Sequence, residues 1–355
     1  MSESKTPDYS AVRSASRAIG ASLRKGAVVI VESTVGPGTV ENLVQPELEV
    51  ESGLRAGVDF GVASCPERSD PGSIMRNMSS VPRIVGSADP LCRDTVGHLY
   101  HTAFGVEVVK VSDPKTANAV KLTENLFRDV NIALSNEFAL LYEKLGIDTI
   151  EVINACATKY NFMPHYPGGG VGGPCLPSNP YYLIAEGVKV GNIPYIIRLA
   201  REINDRMPNH VVELVMEALN GIGRTVKGSR VALLGASYKP NVRDVQLSPV
   251  ERVASRLKEL GANLALYDPY FVGEQVFGIK TAPSAEEGVK EADCIVVGTA
   301  HAEFLGLDPR RLAALASRDA ALVDARNVFD PAAAEAAGFK YLGVGRRGSG
   351  SHEGR

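Results

Sequence analysis

RVALLGASYKPNVRDVQLSPVERVASRLKELGANLALYD (230–268) decides the fold. It opens on a short apolar run, RVALLG (230–235), crosses a polar break, shows helical spacing over 249–260 and closes on NLALYD (263–268). A short apolar run bounded by turn residues reads as a buried strand, and two such runs around a helix read as a β–α–β unit. The alternation continues through DCIVVGT (293–299), ALVDA (321–325) and FKYLGVG (339–345), with a further helix at 285–291. The C-terminal part is therefore expected to be doubly wound and Rossmann-like.

The first third carries the same signal. A helix over 8–24 (Val12, Ala15, Ile19, Leu23) stops at Lys25-Gly26. Strands fit AVVIVES (27–33), DFGVASC (59–65), RIVG (83–86) and VEVVKVS (106–112), with helices up to about Leu48 and at 89–103. Such α/β patterning predicts a largely parallel sheet. Between the two α/β parts the pattern is helical: 114–145, 148–157, 181–186 and 195–219, with a Gly- and Pro-rich loop over 160–180. Pro208 is expected to mark a first turn or a kink in the last of these. The polar, Gly/Ser-rich end, 346–355, is expected to be disordered.

Bulk properties narrow the class. The 355 residues suggest two or three domains at about 150 each. Lys plus Arg is 38 against 41 for Asp plus Glu, which leaves a net charge of −3 and no basic surplus for nucleic acid. No apolar run approaches the roughly 18 residues of a membrane helix. The start, MSESKTPDYS, lacks a signal-peptide layout, so the expected location is cytoplasmic, without a membrane partner. Five cysteines (Cys65, Cys92, Cys156, Cys175, Cys294) are odd in number and form no CxxC pair, which argues against disulfides or a zinc ribbon. One is expected to be a nucleophile and four to be small core residues.

GxGxxG spacing occurs twice, at Gly168/Gly170/Gly173 and at Gly343/Gly345/Gly348. Neither follows a strand and opens a helix, as pyrophosphate binding requires. The first belongs to YPGGGVGGPCLPSNPYYL (166–183), where a cysteine directly follows glycines that permit close backbone approach. That layout fits an exposed thiol nucleophile; a flexible linker with an incidental cysteine is the alternative. Lys121 and Asn125 share a helix face with Asn118 and Glu124 close by, which on spacing alone reads as a solvated polar face. Cys65-Pro66-Glu67-Arg68 ends a predicted strand, where ligands of α/β sheets gather. Asp94, His98 and His101 share a helix face but lack a third strong ligand, so no metal is expected.

Eight segments, in this order and spacing, resemble the UDP-glucose/GDP-mannose dehydrogenase family: VESTVGPGT (31–39), CPERSDPG (65–72), KLTENLFRDVNIALSNE (121–137), PGGGVGGPCLP (167–177), INDRMP (203–208), LLGASYKPNVRDVQLSP (233–249), YDPY (267–270) and DARNVFD (324–330). The glycine loop and the INDxMP segment are most similar to the branch that oxidises UDP-N-acetylhexosamines. The resemblance implies three domains: a partial N-terminal Rossmann domain for NAD (1–112), a central helical, 6-phosphogluconate-dehydrogenase-like dimerisation domain (113–207) and a C-terminal Rossmann-like domain for the UDP-sugar (208–345). It also implies a homodimer and a two-step, four-electron oxidation of the sugar C6 alcohol by NAD.

By the same resemblance Cys175 is the nucleophile, Lys121 and Asn125 stabilise the reacting oxygen, and Glu67 and Thr34 position or activate water. Glu67, Arg68, Lys121, Asn125, Tyr166, Gly168, Gly170, Gly172, Tyr238, Lys239 and Arg326 are expected to meet the UDP-sugar, and Ser33, Thr34, Cys175 and Gln246 the NAD. Three positions depart from the family's pattern. Asn179 stands where an acid four residues after the nucleophile is usual, Pro174 stands where His is often found, and Gln246 replaces an Arg. Residue 1 falls just after the strand leading to Thr6-Pro7, so the GxGxxG half of the first domain is expected to be missing and NAD turnover to suffer. A non-catalytic remnant that binds nucleotide sugar or dimerises is the alternative.

Overall fold

The computed structural model describes residues 5–347. They divide into two compact units: the residues up to Arg128 with Ser178–Arg198, and Asp129–Pro177 with those from Leu199 onward.

In chain order the first unit opens with α1 (Ser10–Gly20), β1 (Val28–Val31), α2 (Gln45–Ser52), β2 (Gly61–Ser64), α3 (Ile74–Met78), β3 (Arg83–Gly86), α4 (Pro90–Phe104) and β4 (Val108–Val111). The strands lie in the order β1-β2-β3-β4. The outer pairs are parallel, while β2 meets β3 antiparallel through the single pair Ser64–Gly86. The sheet is thus largely parallel as expected, with one antiparallel contact at its centre. Apolar residues from the strands feed two clusters, one around Val29, Val62 and Leu48, the other around Ala63, Val85, Val96 and Tyr100.

Four helices follow: α5 (Pro114–Leu145), α6 (Thr149–Cys156), α7 (Asn179–Lys189) and α8 (Tyr195–Gly221). The bounds of α5 are those the spacing predicts. Pro208 lies inside α8 rather than in a first turn, and the helix continues through it while burying Met207, Val211, Leu214 and Val215.

The remaining elements are β5 (Arg230–Leu234), α9 (Pro249–Glu259), β6 (Asn263–Tyr267), the hairpin β7–β8 (Gln275–Val276, Ile279–Lys280), α10 (Ala285–Val289), β9 (Cys294–Val297), α11 (Pro309–Leu315), β10 (Ala321–Asp324), α12 (Pro331–Ala336), β11 (Lys340–Gly343) and β12 (Arg346–Arg347). The main strands run β12-β11-β10-β9-β5-β6, parallel except for β12. Arg346 and Arg347 thus belong to the sheet rather than to the expected disordered end; the rest of that segment, with Gly348 of the second GxGxxG spacing, lies outside the described residues. Val231 and Leu233 point to one core cluster, Ala232 and Leu234 to the other. A sheet buried on both faces explains why these strands read as unbroken apolar runs.

One local signature recurs. Asp89-Pro90, Ser248-Pro249, Asp308-Pro309 and Asp330-Pro331 each place a side-chain acceptor at the helix cap and proline just inside. The cap satisfies an orphan amide, and proline has no amide to leave unsatisfied.

Candidate active site

From β5 the chain moves outward to β6, then crosses to β9 on the other side. This reversal makes the carboxyl ends of β5 and β9 the natural ligand crevice of the sheet. Asp268, fully buried just past β6, organises that edge. Its Oδ2 accepts from the amides of Ala236 (2.7 Å) and Ser237 (2.9 Å), from Ser237 Oγ (3.1 Å) and from His301 Nε2 (3.0 Å). On its other side His301 Nδ1 accepts from the Asn241 amide at 3.0 Å, which assigns the proton to Nε2. Burial alone would raise the Asp268 carboxyl, but the His301 ring and the two amides outweigh it and hold it down at about 2. Asp268 is therefore an anionic hub that fixes the loop carrying Tyr238 and Lys239.

The glycine loop is pressed onto the same edge. Gly169 N–H donates to Ala325 O (3.1 Å) and Gly173 N–H to Gln246 O (3.0 Å). Arg326 Nη2 donates to Gly170 O (3.3 Å) and its Nε to Gly298 O (3.0 Å). A Cβ on Gly172 would stand 2.7 Å from Leu247 O, and one on Gly173, at φ +87°, 2.6 Å from the Tyr238 ring. Only glycine tolerates both the contact and the left-handed backbone. The structure thus brings Gly168, Gly170, Gly172, Tyr238, Gln246 and Arg326 together in one unit, with Lys239 on the adjoining loop. Gln246, expected at the cofactor, contributes its carbonyl to the loop. Cys175 follows as an exposed thiol, and Tyr166, half-exposed, donates from its hydroxyl to Asn154 Oδ1.

The other unit holds the remaining candidates. Arg68, just past β2, donates from Nε to Glu124 Oε2 (3.1 Å) and from Nη1 to Pro82 O (2.5 Å). Ser64 Oγ donates to Asn118 Oδ1 at 3.0 Å. These bonds tie the Cys65–Arg68 segment to the α5 turn that bears Lys121 and Asn125. The solvated face expected at 118–125 is corrected accordingly: Asn118 is buried and Glu124 is an ion-pair partner. Asn125 Nδ2 is buried without a protein acceptor, a donor left for a ligand. For Glu67, burial pushes the carboxyl up, but Ser69 and the Arg83 guanidinium (3.0 Å) prevail and hold it at about 2. Arg83 is itself buried, with the Tyr100 and Phe104 rings beside it.

Ser33 is exposed and Thr34 half-buried past the carboxyl end of β1, a place that fits a dinucleotide; Gly36 opens no cradle there, since an added Cβ would meet Tyr9 Oη at 2.7 Å. Asn179, the first residue of α7, is buried with Nδ2 unpartnered. Asp94 pairs with Lys110 (2.8 Å) and His101 Nδ1 meets Val106 O (2.9 Å), so two of the three residues weighed as metal ligands are engaged elsewhere. Of the five cysteines three are buried core residues rather than four, because Cys156 is exposed like Cys175. Burial raises the Cys92 and Cys294 thiols and pushes Cys65 up to about 11.

Three domain descriptions of the UDP-glucose/GDP-mannose dehydrogenase family match in sequence: the NAD binding domain over residues 1–104, the central domain over 115–206 and the UDP binding domain over 232–331. The UDP-N-acetyl-D-glucosamine 6-dehydrogenase of Pseudomonas aeruginosa is 36% identical over 92% of this chain and 78% of its own length. The solved structure of a UDP-D-ManNAc dehydrogenase from Pyrococcus horikoshii is similar at a TM-score of 0.88 and 35% identity, covering 97% of this chain and 78% of that one. An NDP-N-acetyl-D-galactosaminuronic acid dehydrogenase from Methanosarcina mazei Go1 aligns with the same TM-score at 34% identity, over 98% and 75% of the two chains. The matched family domains and relatives make the chain an NAD-dependent nucleotide-sugar oxidoreductase. The chain belongs to the UDP-glucose/GDP-mannose dehydrogenase family, and its NAD-binding domain is present over residues 1–104 although no GxGxxG turn occurs there.

Proposed function

We propose that the protein oxidises the C6 alcohol of a UDP-N-acetylhexosamine to the carboxylate in two stages, supplying a uronate precursor for surface polysaccharide or glycan. The observation that carries this reading is an exposed thiol, Cys175, at the end of a glycine loop clamped against Tyr238 and Arg326. Ser33 and Thr34 would contact NAD, which when bound would supply a hydride acceptor for each stage. Lys121 and Asn125 offer a positive charge and an unpaired donor to the oxygen at C6 as it gains negative charge. The Cys175 thiolate adds to the aldehyde carbon, giving a thiohemiacetal whose oxidation leaves a thioester. Water then cleaves the thioester, releasing the carboxylate and the free thiol. Glu67, held ionised by Arg83 and Ser69, serves as a fixed acceptor that orients water rather than as a strong base. Asn179 has no basic form and acts through its amide alone. The test is stoichiometry: absorbance at 340 nm and product analysis are expected to give two NADH per uronate. A ratio of one, with aldehyde as the end product, would sink the reading.

The same proposal includes a homodimer through α5. Leu134 and Leu141 are exposed seven residues apart along that helix, and apolar residues at that spacing need an apolar partner. Light scattering at micromolar concentration is expected to give twice the 37.8 kDa chain mass, reverting to one with Leu134→Glu and Leu141→Glu combined. A parent protein that is monomeric under those conditions would exclude the seam.

A further inference from the structure

Two helical segments singled out in the sequence, KLTENLFRDVNIALSNE and INDRMP, contain residues to which the reaction assigns no part. Three of them, with Arg201, form a buried polar chain that ends on the glycine loop. Arg201 Nη1 donates to Asp129 Oδ1 (2.6 Å) and its Nη2 to Asp205 Oδ1 (2.5 Å). Asn204 Nδ2 donates to the same Asp129 Oδ1 (2.9 Å) and to the Asp129 carbonyl (3.0 Å). Asn136 Nδ2 donates to Asn204 Oδ1 (2.9 Å), and Asn136 Oδ1 accepts the Gly168 amide (2.9 Å). Asp129, Asn136, Arg201 and Asn204 are each at most 2% exposed, so bulk water does not reach them to replace a lost partner.

The chain has a direction. Asp129 Oδ1 already accepts from Arg201, so Asn204 must present its NH₂ there and turn its oxygen to Asn136. Asn136 must then turn its own NH₂ to Asn204, which leaves its oxygen for the loop. A carboxylate thus dictates, through two amides, that the Gly168 N–H finds an acceptor. Gly168 has no slack on its other side, where an added Cβ would lie 2.7 Å from Arg326 Nη1.

We infer that Asn136 and Asn204 are positioning residues for the glycine loop: they transmit the fixed polarity of the Arg201–Asp129 pair to Gly168 and so set the start of the segment that ends at Cys175. The inference rests on the proposed role of that segment in the reaction. The charged and titratable groups around the amides are Asp129 on α5, Arg201 and Asp205 on α8, Arg326 beyond the loop, and His165, whose carbonyl accepts from Ser135 Oγ at 2.7 Å.

The test replaces Asn136 by its acid isostere. In Asn136→Asp the ionised side chain turns an acceptor toward Asn204 Oδ1, whereas the protonated form donates there and still accepts from Gly168. Its kcat/KM relative to the parent is expected to fall about tenfold or more between about pH 5.5 and about pH 8.5, while Asn136→Leu stays low throughout. Asn204→Asp moves the same swap one step back and is expected to show the same acid-restored profile, which keeps the test open if one variant does not fold. Hydrogen exchange of the 167–175 peptide, compared with the parent at each pH, is expected to follow the same pattern without reference to turnover. A parent that makes no NADH would overturn the proposed reaction while exchange still decides the positioning. Folded variants that track the parent across pH in both measurements would overturn the positioning role and leave only a structural one.

Discussion

Cys175→Ala is expected to lower steady-state uronate formation from a UDP-N-acetylhexosamine by about 10⁴-fold or more, the scale seen when a covalent nucleophile is removed. An aldehyde offers no route to the second oxidation until a nucleophile adds, and in this chain the exposed thiol after the glycine loop is the group suited to add. Calorimetry is expected to show the UDP-sugar still bound, because Tyr238, Lys239 and Arg326 are untouched. A variant that keeps more than about a tenth of the parent rate, against that expected loss, would remove Cys175 from the mechanism.

Lys121→Ala is expected to cost about 10²–10³ in kcat, as when one preorganised donor at a developing oxyanion is lost. KM for the sugar should move by only a few-fold, since the charge matters most where the oxygen becomes negative. Lys121→Arg should not restore the rate, because a planar fork cannot take the place of a compact ammonium. Steady-state kinetics separate the outcomes: an unchanged kcat with a raised KM would make Lys121 a ground-state contact only.

Much of the C-terminal fold was legible because its strands are buried on both faces and its helices begin at acceptor–proline pairs such as Ser248-Pro249. Short elements escaped, among them the β7–β8 hairpin and β12, since two residues carry no periodicity. The antiparallel β2–β3 contact was also beyond reach: one pair, Ser64–Gly86, sets its direction, and strand direction leaves no trace in composition. Glycine spacing around 166–177 pointed to close backbone approach, and the contacts at Gly172 and Gly173 show what is approached. Hidden from the sequence were the partners that act from a distance in the chain. Asp268 and His301 are 33 positions apart, and Arg83 reaches Glu67 from the next strand. An aspartate closing a strand at YDP was the one available hint for the hub, and nothing marked His301 or Arg83.

The division of the thiols has a practical consequence. Cys65, Cys92 and Cys294 are walled off, with burial favouring their protonated form, so a water-soluble alkylating reagent at neutral pH meets only Cys156 and Cys175. Replacing Cys156, which closes α6, by serine turns the chain into a single-address protein. A spin label or fluorophore then reports from one known point, without a background to subtract.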